Sequence, residues 1–205
     1  MLLAEQALVG LRLRGQQVQA AVTVFADEVR RRLSVGLGAV DSRTLLNALH
    51  DLPVDLPVSQ SSLDAHALRT LHTAPPGVLD LGEEERGVVV RRLVPAVRVE
   101  LVLVHGPRGI DSSKWDAAVR DASQFAPFCA RGVVVSRPAS EQEWHNDMDL
   151  LLLKARYYGV GVAVQEQTES LRWLLEPAPY RPERHSAAQW FFHEQAWRQL
   201  GPDGS

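Results

Sequence analysis

Hydrophobic and small residues recur in steps of three and four over the first part of the chain. The spacing predicts one long helix, which ends at Gly36 and Gly38. Its apolar face consists of Leu8, Leu11, Gly15, Val18, Val22, Phe25, Val29 and Leu33. This face either packs on the protein's own sheet or serves a partner chain.

Two shorter helices are predicted behind the first one. One runs from the Asp41-Ser42 cap to His50, and the other spans about 63–72. Pro53 and Pro57 make 52–62 an irregular loop, and the second short helix stops at 73–77, where two prolines and a glycine oppose its continuation.

The pattern changes after the double proline. Residues 87–105 are rich in β-branched side chains and alternate from Val97 onward, which predicts two strands joined or bent near Pro95. A helix over 112–126, a short buried strand over 131–136, a helix over 143–158 and a strand over 159–165 follow. Such alternation predicts an α/β fold, with a mixed central sheet flanked by helices.

We expect three segments along the chain. Residues 1–76 form a helical N-terminal segment that packs on the core, 77–166 form the α/β core, and 167–205 form a C-terminal helical extension. The closing helix, from Ser186 to Leu200, has an aromatic face that we expect to dock on the body, although it also suits an interface. That face consists of Trp190, Phe191, Trp197 and Leu200.

Composition narrows the choice of compartment and partner. The chain has 205 residues, and its one cysteine, Cys129, can form neither an internal disulfide nor a thiolate metal site, which favours a reducing compartment such as the cytoplasm. A net charge of −3 gives no global attraction to nucleic acid or to an anionic membrane. No apolar run reaches the roughly 20 residues of a membrane span, so no membrane partner is expected.

Residues 97–165 resemble the second half of the restriction-endonuclease-like fold, the PD-(D/E)XK superfamily. The resemblance rests on Glu100 in a central strand, the helix 115–125, the hydrophobic strand 132–136, and the glycine-containing strand that ends at Val164. It implies an acid on that central strand, a helix beneath the sheet and a following hydrophobic strand. About a third of the chain is covered.

The resemblance also implies a metal-dependent phosphodiesterase site. Two acids, Glu100 and a first acid that is either Asp80 or missing, would hold Mg²⁺. The family's lysine is replaced by Val102, and Lys114 at the start of the next helix would substitute only if it reaches back over the strand. Arg108 or Arg137 would position the nucleic-acid backbone.

Three other patterns fit either a ligand site or a simple structural role. The loop His105-Gly106-Pro107-Arg108-Gly109 follows a strand, where α/β folds place ligands, but its glycines also suit an ordinary turn. His145 and Asp149 share a helix face and would need a third ligand to bind a cation. Arginines around the proposed sheet would contact phosphates if they share one face and if Glu83, Glu84 and Glu85 do not neutralise them. These are Arg91, Arg92, Arg98, Arg131, Arg137 and Arg156.

The sequence therefore predicts a nucleic-acid-associated protein with a nuclease-like fold. Cleavage is expected to be lost, because the lysine is absent from its place. The alternative is a non-enzymatic module that presents its first or last helix to a protein partner or to a second copy of itself.

Overall fold

The computed structural model describes residues 8–81, 87–107, 112–136, 141–165, 171–181 and 185–201, with only the backbone course for 112 and 141–147. The chain divides into two compact units. The first takes Met1–Thr23 and Val99–Glu183, and the second takes Val24–Arg98 and Arg184–Ser205.

Nine strands and six α-helices are formed by the described residues. The strands are β1 (Leu8–Leu13), β2 (Gln16–Val24), β3 (Pro57–Ser59), β4 (Leu79–Leu81), β5 (Val88–Arg91), β6 (Val97–His105), β7 (Ala130–Ser136), β8 (Gly161–Gln165) and β9 (Leu171–Leu175). The helices are α1 (Ala26–Ser34), α2 (Arg43–His50), α3 (Ala65–His72), α4 (Ser112–Ser123), α5 (Glu141–Tyr157) and α6 (Ala187–Leu200). None of the helices in the described residues is long and apolar enough to cross a membrane.

A six-stranded mixed sheet is the centre of the first unit. Its strand order is β1-β2-β6-β7-β8-β9. β6, β7 and β8 pair in parallel, with Leu101 opposite Ala130 and Gly132 opposite Gly161, while β8 and β9 are antiparallel. The series β6-α4-β7-α5-β8 confirms the predicted order of strands and helices, and with it the predicted mixed α/β fold class.

The prediction of one helix over Leu8–Leu33 is wrong. Residues 8–24 form an antiparallel hairpin, and only Ala26–Ser34 is helical. Arg14 and Gly15 make the two-residue turn, with φ of 51° and 81°, the left-handed conformation that such hairpins need. Within each strand of the hairpin buried residues lie two positions apart, and some of these residues also fit the helical spacing. The alternating residues are Leu11, Leu13, Val18 and Ala20.

One face of the first sheet is built from small residues and a tryptophan. A Cβ atom added at Gly161 would lie 2.7 Å from Cζ3 of Trp173, and one added at Gly132 would lie 3.3 Å from the same atom. These glycines let the indole of β9 lie close to β7 and β8. A buried apolar cluster accompanies them, formed by Ala21, Leu101, Leu103, Ala130, Val134 and Ala163.

The second unit has its own sheet and core. β5 lies between β3 and β4, and both pairings are antiparallel. α2 packs against α3 and α6. The core includes Leu45, Leu46, Leu49, Leu71, Val78, Val89, Leu93 and Trp190.

The closing helix docks as predicted. Trp190 and Trp197 are each 5% exposed, and Phe191 packs on the same core. Leu200 is the exposed member of the predicted face. Most of the aromatic face is thus used inside its own unit, while the segment boundaries after residues 76 and 166 stay a prediction.

Candidate functional site

Glu100 lies in the middle of β6, as the sequence predicts. It is half-buried, and one of its carboxylate oxygens, Oε1, accepts a hydrogen bond of 2.9 Å from the Thr23 hydroxyl. Val102, where the resembled family has its lysine, is fully buried. The strand therefore places a hydrophobic side chain where the cleavage chemistry would need a cation.

Asp80 belongs to the other unit, on β4 of the three-stranded sheet. Its Oδ2 accepts a hydrogen bond of 2.7 Å from Nε of Arg92. The same guanidinium donates through Nη1 to Oδ1 of Asp55 at 2.9 Å. These contacts with Asp55 and Asp80 raise the pKa of Arg92.

The remaining predicted site residues separate into two groups. Lys114 is an exposed residue in the first turn of α4. Arg108 and Arg137 lie outside the described residues, as do Glu83, Glu84 and Glu85.

The predicted Mg²⁺ ligands, Asp80 and Glu100, fit a divalent cation poorly. Arg92 forms an ion pair with the Asp80 carboxylate, and Thr23 donates a hydrogen bond to the Glu100 carboxylate. Both contacts compete with a metal ion for the same oxygens. Within the described ranges there is no group of three His, Cys, Asp or Glu residues that could hold a metal ion. The assignment of these two acids to magnesium stays a prediction.

The loop after β6 has a structural reason for its first glycine. The Gly106 amide donates to the Val134 carbonyl at 2.7 Å. A Cβ at this position would lie 2.8 Å from Cγ1 of both Val133 and Val135. Gly106 is therefore needed for the chain to leave β6 close against β7, and residues 108–109 of the same loop lie outside the description.

The carboxyl edge of the parallel strands carries polar residues. β6 ends at His105, β7 at Ser136 and β8 at Gln165, with Ser136 and Gln165 paired in register. This is the edge where α/β sheets usually bind ligands. On α5, Asp149 is exposed, whereas the side chain of His145 is outside the description, so that pair stays a prediction.

Several of the predicted phosphate-binding arginines have structural partners. Arg91 donates to the carbonyls of Leu49, Leu52 and Leu93 at 2.9 to 3.1 Å. Arg131 donates through Nη2 to the Tyr158 carbonyl at 2.7 Å. Burial lowers the pKa of both arginines. Arg91 and Arg131 therefore each have a structural role, and phosphate contact by the six arginines stays a prediction.

A pocket of about 430 Å³ lies in the second unit, built by residues that are far apart in the chain. Its apolar lining residues are Phe25, Val94, Pro95 and Trp190. Its nitrogen-bearing lining residues are His50, Arg91, Arg98, His185, Gln189 and His193. Among the described residues that line it there is no aspartate or glutamate.

Exposed residues form the mouth of the pocket and buried ones form its floor. Phe25 directly precedes α1, and its amide donates to the Ala96 carbonyl at 2.9 Å. The Arg98 guanidinium lies 5.9 Å from the centre of the Phe25 ring. A cation thus lies over an aromatic ring at the opening.

His185 and His50 meet at the rim of the same pocket. Nε2 of His50, the last residue of α2, lies 2.9 Å from the His185 carbonyl. The Ser186 side chain caps α6 by accepting from the Gln189 amide at 3.1 Å. These contacts join the end of α2 to the start of α6.

The floor of the pocket carries a buried tryptophan and a neutral histidine. Trp190 donates through Nε1 to Oε1 of Glu194 at 3.2 Å, and Arg91 lies 4.3 Å from its ring centre. Burial, followed by the charges of Arg98 and His185, lowers the pKa of His193 from 6.5 to about 4. At neutral pH this imidazole is uncharged and offers one donor and one acceptor.

No protein-family model, curated protein or solved structure matches this chain. The function must therefore be argued from the geometry of the site.

No sequence signal marked this pocket. Its walls come from positions 25, 50, 91–98 and 185–193, so no motif of fixed spacing joins them. The one available sign was the aromatic face of α6, of which Trp190 reaches both the core and the pocket.

Proposed function

We propose that this protein associates with nucleic acid, and that it binds a nucleotide of a single strand in the pocket of its second unit. The observation that carries the proposal is the composition of the pocket: aromatic and apolar walls, arginine and histidine nitrogens, and no lining carboxylate among the described residues. Such a pocket suits an anion with a flat apolar body.

The volume and chemistry of the pocket support a ligand of nucleotide size. About 430 Å³ falls in the ordinary range of small-molecule pockets, roughly 300–1,000 Å³. Unpaired bases stack on aromatic rings and on guanidinium planes, and their edges accept and donate hydrogen bonds. Phe25 and Arg98 at the mouth suit stacking with a base, while Gln189 and His193 on the floor carry hydrogen-bonding groups that suit its edge.

A local site is also what the charge of the chain requires. At a net charge of −3 the protein has no general attraction for polyanions, so binding depends on a patch where cations predominate. Arg98 is exposed at the pocket mouth, and its charge already lowers the pKa of His193. A phosphate beside Arg98 would add one charged contact and one released counterion.

We propose binding without metal-dependent cleavage. Three features support this: Val102 in place of the family's lysine, the Thr23 hydrogen bond to Glu100, and the Arg92 ion pair with Asp80. The resemblance to restriction-endonuclease-like proteins then concerns the scaffold of the first unit rather than its chemistry.

The binding test uses fluorescence anisotropy of the full-length chain with labelled single-stranded DNA and RNA. We expect Arg98→Ala to weaken binding at least fivefold. It should also reduce, by about one, the magnitude of the slope of the logarithm of the binding constant against the logarithm of the salt concentration. Phe25→Ala should weaken binding through lost stacking. The matched control is Arg69→Ala, which removes an exposed arginine of the same unit that lies outside the pocket, and it should bind within about twofold of the unaltered chain.

Two results would overturn the proposal. Binding that is equal in Arg98→Ala, Phe25→Ala and Arg69→Ala would remove the pocket from nucleic-acid binding. Cleavage of single-stranded or duplex substrates with Mg²⁺ or Mn²⁺, present in the unaltered chain and absent in Glu100→Ala, would show that the nuclease chemistry survives. We expect cleavage in neither protein.

The alternative, an interaction module that uses the first or last helix, has less support. The first helix is reduced to Ala26–Ser34, and the aromatic face of α6 is largely buried in its own unit. The largest exposed fractions among apolar side chains of the described helices are on α5, at Leu150, Leu153 and Tyr157.

A further inference from the structure

The outward face of α5 carries three exposed apolar side chains in a row. Leu150 is 66% exposed, Leu153 65% and Tyr157 83%. Their spacing of three and four places them on one line along the helix. We refer to these three residues as the α5 stripe.

The other described side chains of α5 follow an ordinary amphipathic arrangement. Met148, Leu151 and Ala155 are buried on the opposite side of the helix. α5 packs against β8, β9 and α4. The stripe is therefore a second apolar face rather than the edge of the first, and contiguous exposed apolar residues commonly mark an interaction surface.

Charged residues accompany the stripe on both sides. Asp149 and Arg156 are seven residues apart and lie on one flank of it, two helical turns from each other. In the part of the chain that the structure describes, no ion pair involves either side chain. On the other flank, Nζ of Lys154 already lies 2.6 and 2.7 Å from the two carboxylate oxygens of Asp116.

We propose that the α5 stripe is the contact between two copies of this chain, with the two α5 helices antiparallel about a two-fold axis near Leu153. In this arrangement Leu153 packs on Leu153 of the second copy, and Leu150 packs on Tyr157. The same axis brings the flank that carries Asp149 and Arg156 against itself in reverse, so each carboxylate meets a guanidinium. The contact is isologous, as in most homodimers.

The charge pattern selects this occupant and this orientation. In a parallel pair this flank would instead face the opposite flank of the second copy, where Lys154 is already paired with Asp116, so Asp149 and Arg156 would not meet each other. An antiparallel second copy supplies an opposite charge at both ends with the same two residues. The stripe and its flank are thus complementary to themselves.

The test measures the mass of the full-length chain by sedimentation equilibrium from about 1 to 100 µM, a range that brackets a micromolar dimer. We expect a monomer–dimer equilibrium that Leu153→Glu weakens at least tenfold. Each single charge reversal, Asp149→Arg or Arg156→Asp, should weaken the dimer, and the double reversal should restore it to within about threefold. All three positions are exposed, and circular dichroism melting checks that each variant is folded.

A monomer at every concentration would overturn the proposal and leave the stripe to a different partner. So would a dimer that is unchanged by Leu153→Glu, because the contact would then lie elsewhere. A dimer that the single reversals weaken and the double reversal does not restore would contradict the antiparallel pairing.

Discussion

Arg32 and Glu194 form a bidentate ion pair in the interior of the second unit. Nη1 of Arg32 lies 2.8 Å from Oε2 of Glu194, and Nη2 lies 2.6 Å from Oε1. Arg32 is fully buried, and its remaining donors reach Glu28 and the carbonyls of Gly38 and Val94. Burial alone would lower the pKa of Arg32, but hydrogen bonds and charges from Glu194 and Glu28 outweigh it and raise the pKa.

The first prediction concerns this pair. Glu194→Gln leaves a buried guanidinium without its main counterion and weakens the acceptor of the Val40 amide, which lies 3.0 Å from Oε2. We expect a loss of about 3 kcal/mol in the free energy of unfolding, at the lower end of the cost of breaking a buried ion pair. Urea denaturation followed by tryptophan fluorescence measures it.

The matched control is Asp27→Asn, which breaks an ion pair with Arg30 on the exposed side of α1. Exposed pairs of this kind contribute little, so the midpoint of the urea transition should not move measurably. Equal effects of the two substitutions would mean that the buried network does not hold the second unit together.

The second prediction is a dependence of stability on pH through His193. Its pKa falls from 6.5 in the unfolded chain to about 4 in the folded protein, so the unfolded state binds the extra proton first. Stability contributed by this group is complete above about pH 6.5 and is lost as the pH falls toward 4. The expected loss is about 3 kcal/mol, from 1.36 kcal/mol for each pH unit.

Comparison with His193→Gln isolates this contribution. Between pH 6.5 and 4 the free energy of unfolding should fall less steeply for His193→Gln than for the unaltered chain. His72→Gln, at an exposed position on α3, controls for the loss of an imidazole. Parallel curves for His193→Gln and the unaltered chain would contradict a neutral, buried His193.

The third prediction tests how closely Trp173 approaches the sheet. A Cβ at Gly161 would lie 2.7 Å from the indole and 2.8 Å from the Pro177 ring, so Gly161→Ala forces neighbouring atoms apart. We expect a loss of about 1–3 kcal/mol, as for other overpacked sites. Gly10→Ala on β1 meets only the end of the Gln17 side chain, at 3.6 Å, and should be tolerated. The reverse order in thermal denaturation would contradict the packing described for this face.

The fourth prediction concerns the reactivity of Cys129. Burial raises the pKa of the Cys129 thiol well above its ordinary value, and the thiolate is the reactive form. Ellman's reagent should therefore react with the native chain far more slowly than with the chain in guanidinium. Fast labelling of the native protein would show that the region between α4 and β7 opens readily.

Much of the first unit could be predicted from the sequence. Runs of valine and leucine predict the strands β6, β7 and β8, and apolar residues at helical spacing predict α4 and α5. Each element has a clear periodicity of its own. The hairpin at the start could not be separated from a helix so easily. Leu11 and Val18 satisfy both spacings, and the turn is Arg14-Gly15 rather than the usual Asn-Gly.

The candidate site was harder to predict than the fold. The predicted magnesium ligands depend only on a family resemblance. The pocket depends on residues that the fold brings together, namely Phe25, Arg98 and the start of α6. Arg91 and Arg92 illustrate the difficulty, because they are adjacent in the sequence and have different partners. Arg91 binds backbone carbonyls, whereas Arg92 binds carboxylates. No spacing in the sequence distinguishes these roles.

The pocket of the second unit is proposed to bind one nucleotide of a single-stranded chain. The most direct test is a nuclear magnetic resonance titration of the histidine imidazoles and tryptophan indoles with a short single-stranded oligonucleotide. We expect saturable shifts of His193 and Trp190, with His66 and His72 on α3 unchanged. Shifts confined to His105 and Trp173 of the first unit, or no shift at saturating oligonucleotide, would contradict it.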